Sequence, residues 1–349
     1  MNPLKQIVRS DNWFSWKIPP LLAVAYASFL VNGTGFIAAI QSLGLILVCI
    51  ASVASYGHII NDVFDIESDR QAGKPNVMAG MKSWQRACLC LASVISGFGL
   101  LLLPGRDWLA IAVLLANYLL PTIYAAPPLR LKIRGFLGVL SDALGAHLIP
   151  TLFVLVIVGF VQDAASPIEV GIAVSALVWS LFLGLRGIIV HQILDASGDL
   201  RSNVITFAGR QSRGALRRLV LWCFFPLEVI ALCVFVGLLI PCSWILASVT
   251  SVYILLECGK VRSGLAMPVF YEASESRERY VPLLNNSFYE LWLPCSLILE
   301  LCFMNPEYCI IGLIHLLFFG SLIVSRGLLL AGTVWQWIVR VRDRGISGL

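Results

Sequence analysis

Windows of about twenty apolar residues, the length a helix needs to cross a hydrocarbon core of about 30 Å, recur from one end of the chain to the other. They fall at 18–36, 39–60, 86–103, 108–124, 138–161, 170–193, 217–240, 242–258, 290–304 and 308–330. Short polar interruptions separate them. The pattern predicts an all-α, polytopic transmembrane bundle of about nine spans, or ten if the short stretch 290–304 crosses. No segment reads as a separate soluble domain, so residues 1–349 are expected to form a single integral-membrane domain. The polar interval 259–290, mixed in sign around EASESRER, fits a cytoplasmic loop or an interfacial helix over a site, and equally a plain solvated loop.

Composition agrees: 58% of the 349 residues are hydrophobic and 13% charged, against about 25% charged in soluble domains. Lys5, Arg9 and Lys17 precede the first apolar run, but no small-residue cleavage site follows it, so a retained first helix is expected. The ten cysteines show no CxxC pairs or metal spacing and read as packing residues. The net charge of +5 resides in loops and speaks for orientation in a membrane rather than for nucleic-acid binding.

That loop charge is unevenly placed. The loops after the second, fourth and sixth spans hold nearly all the loop Lys and Arg, including Arg70, Lys74, Lys82 and Arg86, then Arg130, Lys132 and Arg134, then Arg201, Arg210, Arg213, Arg217 and Arg218. Positive-inside bias places these loops and the N-terminus in the cytoplasm. Arg340, Arg342 and Arg344 favour the same side for the C-terminus, hence an even number of spans.

The same side carries the candidate chemistry. NDVFDIESD supplies Asn61, Asp62, Asp65 and Asp69, and the three- and four-residue spacing lets Asp62, Asp65 and Asp69 share one helix face within reach of one another. HQILDASGD places Asp195 and Asp199 four apart at the end of another apolar run. Carboxylates crowded beside a membrane demand a cation, and Mg²⁺ suits hard oxygen ligands while keeping positions open for phosphate oxygens. Two such clusters point to two Mg²⁺ ions clamping one diphosphate. In that arrangement Asp65, Asp195, Asp199 and Lys132 carry the chemistry, with Tyr124, Arg130 and Lys132 of YAAPPLRLK on the diphosphate. His191, one turn before Asp195, fits a hydrogen bond to an aspartate better than metal ligation. His58, His147 and Asp142 fit site lining and helix-to-helix hydrogen bonding equally well, whereas His315 and Arg326 read as structural. Each half of the chain has an apolar helix ending in DxxxD before a basic loop, a faint echo of duplication.

NDVFDIESD, KPNVMAG, YAAPPLRLK and DASGD together resemble, in order and spacing over roughly residues 15–260, the motifs of the UbiA superfamily of intramembrane prenyltransferases. The resemblance implies about nine transmembrane helices, two Mg²⁺ ions, a polyprenyl diphosphate donor, a lipophilic acceptor with an aromatic one as the leading expectation, and a cytoplasmic-facing site within membrane lipid. The chain departs from the pattern at Asn203, where many members carry glycine, and at Lys132, eight residues beyond Tyr124 rather than four. Other uses of the same features are terpene cyclisation or phosphoribosyl transfer at one diphosphate-ionising site and, from a different class, cation transport.

Overall fold

A computed structural model describes residues 3–99, 101–102, 107–161, 166–201, 206–265, 268–270 and 283–346. Helices occupy all ten expected apolar stretches. In chain order they are a short α1 (Pro3–Val8), α2 (Phe14–Asn32), α3 (Phe36–Ala72), α4 (Ser83–Gly99), α5 (Trp108–Ala125), α6 (Phe136–Ile157), α7 (Pro167–Arg201), a one-turn α8 (Phe207–Arg210), α9 (Arg213–Cys242), α10 (Trp244–Arg262), α11 (Leu293–Met304) and α12 (Tyr308–Ile346). Among the described residues eight helices, α2, α3, α5, α6, α7, α9, α10 and α12, are long and apolar enough to cross a membrane. The protein is an integral membrane protein. At 17 residues α4 falls just short, and α11, at 12, is extended by a π-helical turn over Phe288–Trp292. Of the expected polar loop at 259–290, residues 266–267 and 271–282 lie outside the described residues, and α10 runs into its start as far as Arg262.

The chain divides into two compact units, one of Met1–Phe14, Gln41–Leu238 and Phe270–Arg279, the other of Ser15–Ile40, Leu239–Val269 and Tyr280–Leu349. In the first, small residues let helices approach. Gly97 lies under the Tyr118 ring, whose hydroxyl donates to the Ser93 carbonyl at 2.7 Å, joining α4 to α5. Gly184 lets α7 close on α6, where an added Cβ would lie 3.0 Å from Ala143 Cα. Without a hydrophobic force between helices in lipid, such close packing and hydrogen bonds supply the association energy.

One pair in this unit is sealed completely. Arg186 of α7 donates from Nε and an Nη to the two oxygens of Glu228 on α9, each at 2.6 Å, and both side chains are 0% exposed. The planar guanidinium matches the carboxylate and fixes how the two helices face each other. In the second unit Glu300 of α11 accepts from Ser243 Oγ at 2.7 Å and Ile245 N at 3.0 Å, capping the start of α10. Arg326 of α12 reaches Glu290 at 3.0 Å and stands over the Trp16 ring. His315 shares a hydrogen bond with the Tyr26 hydroxyl at 3.2 Å, joining α12 to α2.

Arg186→Met strands the Glu228 carboxylate in an apolar interior and is expected to cost about 3–5 kcal/mol. The double substitution Arg186→Met with Glu228→Leu should recover most of that, since no charge is then buried alone. Unfolding temperatures in detergent would show the single variant well below the double if so.

Candidate active site

NDVFDIESD does not end a helix. The polar residues continue α3 for three further turns beyond its apolar part, supported by Glu67 with Arg70 and Gln71, each at 2.9 Å. The helix stops at Gly73, whose φ of 68° suits the left-handed turn there, with Lys74 N returning to the Asp69 carbonyl at 2.9 Å. Asn76 then locks the following segment onto the motif. Its Nδ2 donates to the Asp62 carbonyl at 2.9 Å and to Asp69 Oδ2 at 2.8 Å, while its Oδ1 accepts from Met78 N at 2.9 Å.

The fully buried Met78 forms a small core with Ile59 of α3 and Ile7 of α1. That core holds the N-terminal segment against the motif. Arg9, next after α1, meets Asp62 at 2.8 Å, and Asp62 is left only 2% exposed.

Asp65 receives its cations from the segment between α5 and α6. Lys132 donates to Asp65 Oδ1, and Arg130 Nη2 lies 3.4 Å from the same oxygen. This loop is braced from within: Arg134 donates to the carbonyls of Leu129 at 2.5 Å and Pro128 at 2.8 Å, and Arg130 N to the Ala126 carbonyl at 2.8 Å. Gly138 packs so close behind it that an added Cβ would lie 2.6 Å from the Leu131 carbonyl oxygen. Lys132 is buried, which draws its pKa below the ordinary lysine range, against the opposing pull of Asp65.

The other side of the same loop touches the chain beyond DASGD. Arg210 Nη2 donates to the Ile133 carbonyl at 3.1 Å, and the Phe136 and Phe207 rings meet edge to face at 5.7 Å. Gln192 of α7 accepts from Ala208 N at 3.0 Å, tying α8 back to the helix of the second acidic motif. His191 Nε2 lies 3.4 Å from Asp195 Oδ2, the expected partner, and both side chains are well exposed. The YAAPPLRLK loop therefore touches the first acidic motif directly and the segment following the second.

Of the residues singled out in sequence, Asp62, Asp65, Asp69, Arg130 and Lys132 thus join one network, and His191 with Asp195 forms a second pair. Asn61 and Tyr124 are half-buried, on α3 and at the end of α5. Asp199 lies on α7, its side chain outside the described residues. Two members of the network escaped the sequence reading: Arg9, visible there only as one of several N-terminal cations, and Asn76, inside KPNVMAG. Among the described residues no three His, Cys, Asp or Glu side chains already converge as around a metal. The donors are nonetheless all oxygens, the set that suits Mg²⁺.

The chain is a bundle of membrane-spanning helices with acidic motifs on two long helices and a basic loop against the first of them. The sequence pattern of the UbiA prenyltransferase family matches residues 21–263, and the chain belongs to that family: it is a prenyltransferase. It is 30% identical over 226 residues to a lycopene elongase/hydratase of Corynebacterium glutamicum, covering 62% of this chain and 73% of that protein. Its fold resembles that of a UbiA homologue from Archaeoglobus fulgidus bound to GPP and Mg²⁺, with a TM-score of 0.55 and 15% identity, covering 85% of this chain and 97% of the other. The same homologue bound to DMAPP and Mg²⁺ gives 0.52 at the same identity and coverage.

Gly138→Ala is expected to push the Lys132 loop away from Asp65 at a cost of about 1–3 kcal/mol. Since the loop rather than the helices must yield, donor KM should rise several-fold while the protein still purifies as a folded species; an unchanged KM would show that the close approach has no bearing on the site.

Proposed function

We propose that this chain transfers a prenyl group from a polyprenyl diphosphate to a lipophilic acceptor in a Mg²⁺-dependent reaction, at a site facing the cytoplasm. The carrying observation is the junction of buried Asp62 and half-buried Asp65 with Arg9, Arg130 and Lys132. Carboxylates able to hold metal and cations able to hold phosphate lie there in contact. The structures of the Archaeoglobus fulgidus homologue, bound to prenyl diphosphates and Mg²⁺, support the same reading.

Asn61, Asp62, Asp65 and Asp69, with Asp195 and Asp199, would hold Mg²⁺. When bound, the metal neutralises charge on the diphosphate and so favours its departure. Lys132 and Arg130 shift from Asp65 to the diphosphate oxygens, where their charge is worth more as the leaving group gathers negative charge. The side chain of Tyr124 orients the same group by a hydrogen bond. As the allylic C–O bond breaks, diphosphate carries off the electron pair, and the allylic carbon is attacked by a π bond of the acceptor. The new C–C bond leaves a cation on the acceptor, which loses a proton to an aspartate or to the released diphosphate. Apolar walls keep water from the cation until that attack.

The leading expectation from sequence is an aromatic acceptor. Likeness to a lycopene elongase/hydratase supports an acyclic polyene as a candidate of at least equal standing. Terpene cyclisation uses the same ionisation and is distinguished by product formation without any acceptor.

With GPP or DMAPP as donor and a polyene or aromatic lipid as acceptor, prenylated product should be detected by mass spectrometry. EDTA should abolish its formation and Mg²⁺ restore it, and Asp65→Asn or Asp195→Asn should each lower turnover by about a hundredfold or more. Near-normal turnover in either variant, or in EDTA, would sink the proposal.

A further inference from the structure

Three residues other than glycine adopt positive φ among the described residues: Arg9 at 47°, Arg130 at 38° and Asn285 at 72°. Two of the three are arginines that deliver a guanidinium to NDVFDIESD, Arg9 to Asp62 at 2.8 Å and Arg130 to Asp65 at 3.4 Å. A left-handed L-residue costs roughly 1–2 kcal/mol, and such backbone gathers at functional sites. Arg9 stands at the end of α1, where glycine would make the same turn without strain. What arginine adds there is its side chain.

Apolar contacts hold α1 independently of that side chain. Ile7 and Val8 already pack against Ile59, Val63 and Met78, and Trp13 Nε1 donates to the Val8 carbonyl at 2.9 Å. The exposures are also unequal: the Arg9 side chain is 33% exposed and that of Asp62 only 2%. The guanidinium therefore covers the carboxylate while keeping part of its own surface open to an arriving anion. Arg130 is placed in the same way, 30% exposed over an Asp65 that is 14% exposed.

We propose that Arg9 is a third cation of the donor site, alongside Arg130 and Lys132, an assignment that rests on reading the site as one for a prenyl diphosphate. Without diphosphate it is the counter-ion of Asp62. When the diphosphate arrives, the guanidinium passes from the carboxylate to the phosphate oxygens and uncovers Asp62 for the metal. No covalent bond changes, and the exchange conserves charge contacts: one carboxylate partner is lost, and one phosphate partner is gained.

The test uses the full chain in detergent with a non-ionising donor analogue, S-geranyl thiodiphosphate. Arg9→Gly removes the cation and relieves the left-handed backbone; Arg9→Gln keeps the length without the charge and decides the matter if the glycine variant does not fold. Affinity for the analogue with Mg²⁺, measured calorimetrically, should fall about tenfold or more in both, the loss expected for one charge-assisted contact. Binding of Mn²⁺ alone, read by its EPR signal, should be unchanged or tighter, because Asp62 has lost a competitor. A role limited to anchoring α1 would lower the unfolding temperature and leave analogue affinity within about twofold of wild type, and that result overturns the assignment while leaving the reading of the site intact. If the wild-type chain binds neither analogue nor Mn²⁺, that reading falls and Arg9's role with it.

Discussion

An ionised carboxylate beside a hydrocarbon core must have a cation, and the first unit is arranged around meeting that demand for α3. Each buried, unpaired ion costs several kcal/mol, a large share of the 5–15 kcal/mol that typically holds a protein folded. Asp62 and Asp65 are met by side chains from two distant segments, Arg9 before the first long helix and Arg130 with Lys132 after α5. Much of the local architecture follows from delivering those groups. The Ile7–Ile59–Met78 core, the Asn76 crosslink and the self-braced loop at 128–135 all fix backbone that has no regular helix to hold it.

Exposure separates two kinds of ion pair in this unit. Arg186 and Glu228 are sealed at 0% each and bond in parallel, so opening them would leave both charges stranded. Over Asp62 and Asp65 the arginines remain about a third exposed. A cation with one side in contact with solvent can trade a carboxylate for a phosphate without passing through an uncompensated state, which suits the proposed site, where a leaving group departs on every turnover. The sealed pair suits the opposite task of keeping α7 and α9 in register under it.

Hydropathy located ten of the twelve helices, missing only the short α1 and α8, because length and apolarity are local properties. It placed the helix ends less well: α3 and α7 run on through their acidic motifs instead of stopping there, since polar residues can continue a helix, helped in α3 by the Glu67–Arg70 and Glu67–Gln71 pairs three and four apart. Motif spacing brought out the aspartates together with Arg130 and Lys132. Arg9 and Asn76 stayed hidden because their importance lies in which carboxylate they meet, a tertiary fact with no trace in spacing. Glu228, Glu290 and Glu300 were legible in principle, as ionisable residues within apolar runs that require a partner. Arg186, inside the sixth apolar run, is the partner of the first.

The helices that overrun are the ones that need to. At about 1.5 Å per residue, the 37 residues of α3 and the 35 of α7 extend about 55 and 52 Å, well beyond a hydrocarbon core of about 30 Å. Counting about twenty residues from the start of each leaves Asn61–Asp69 and Asp195–Asp199 on the projecting ends. A prenyl diphosphate is itself divided in this way, with a tail that belongs in hydrocarbon and a headgroup that cannot enter it. Helices that carry their acidic residues just past the apolar boundary let the headgroup stay in the polar zone while the bond to be broken lies at the edge of the dry one. On the proposed function, the length of α3 and α7 thus answers to the substrate's own amphipathy as much as to the membrane.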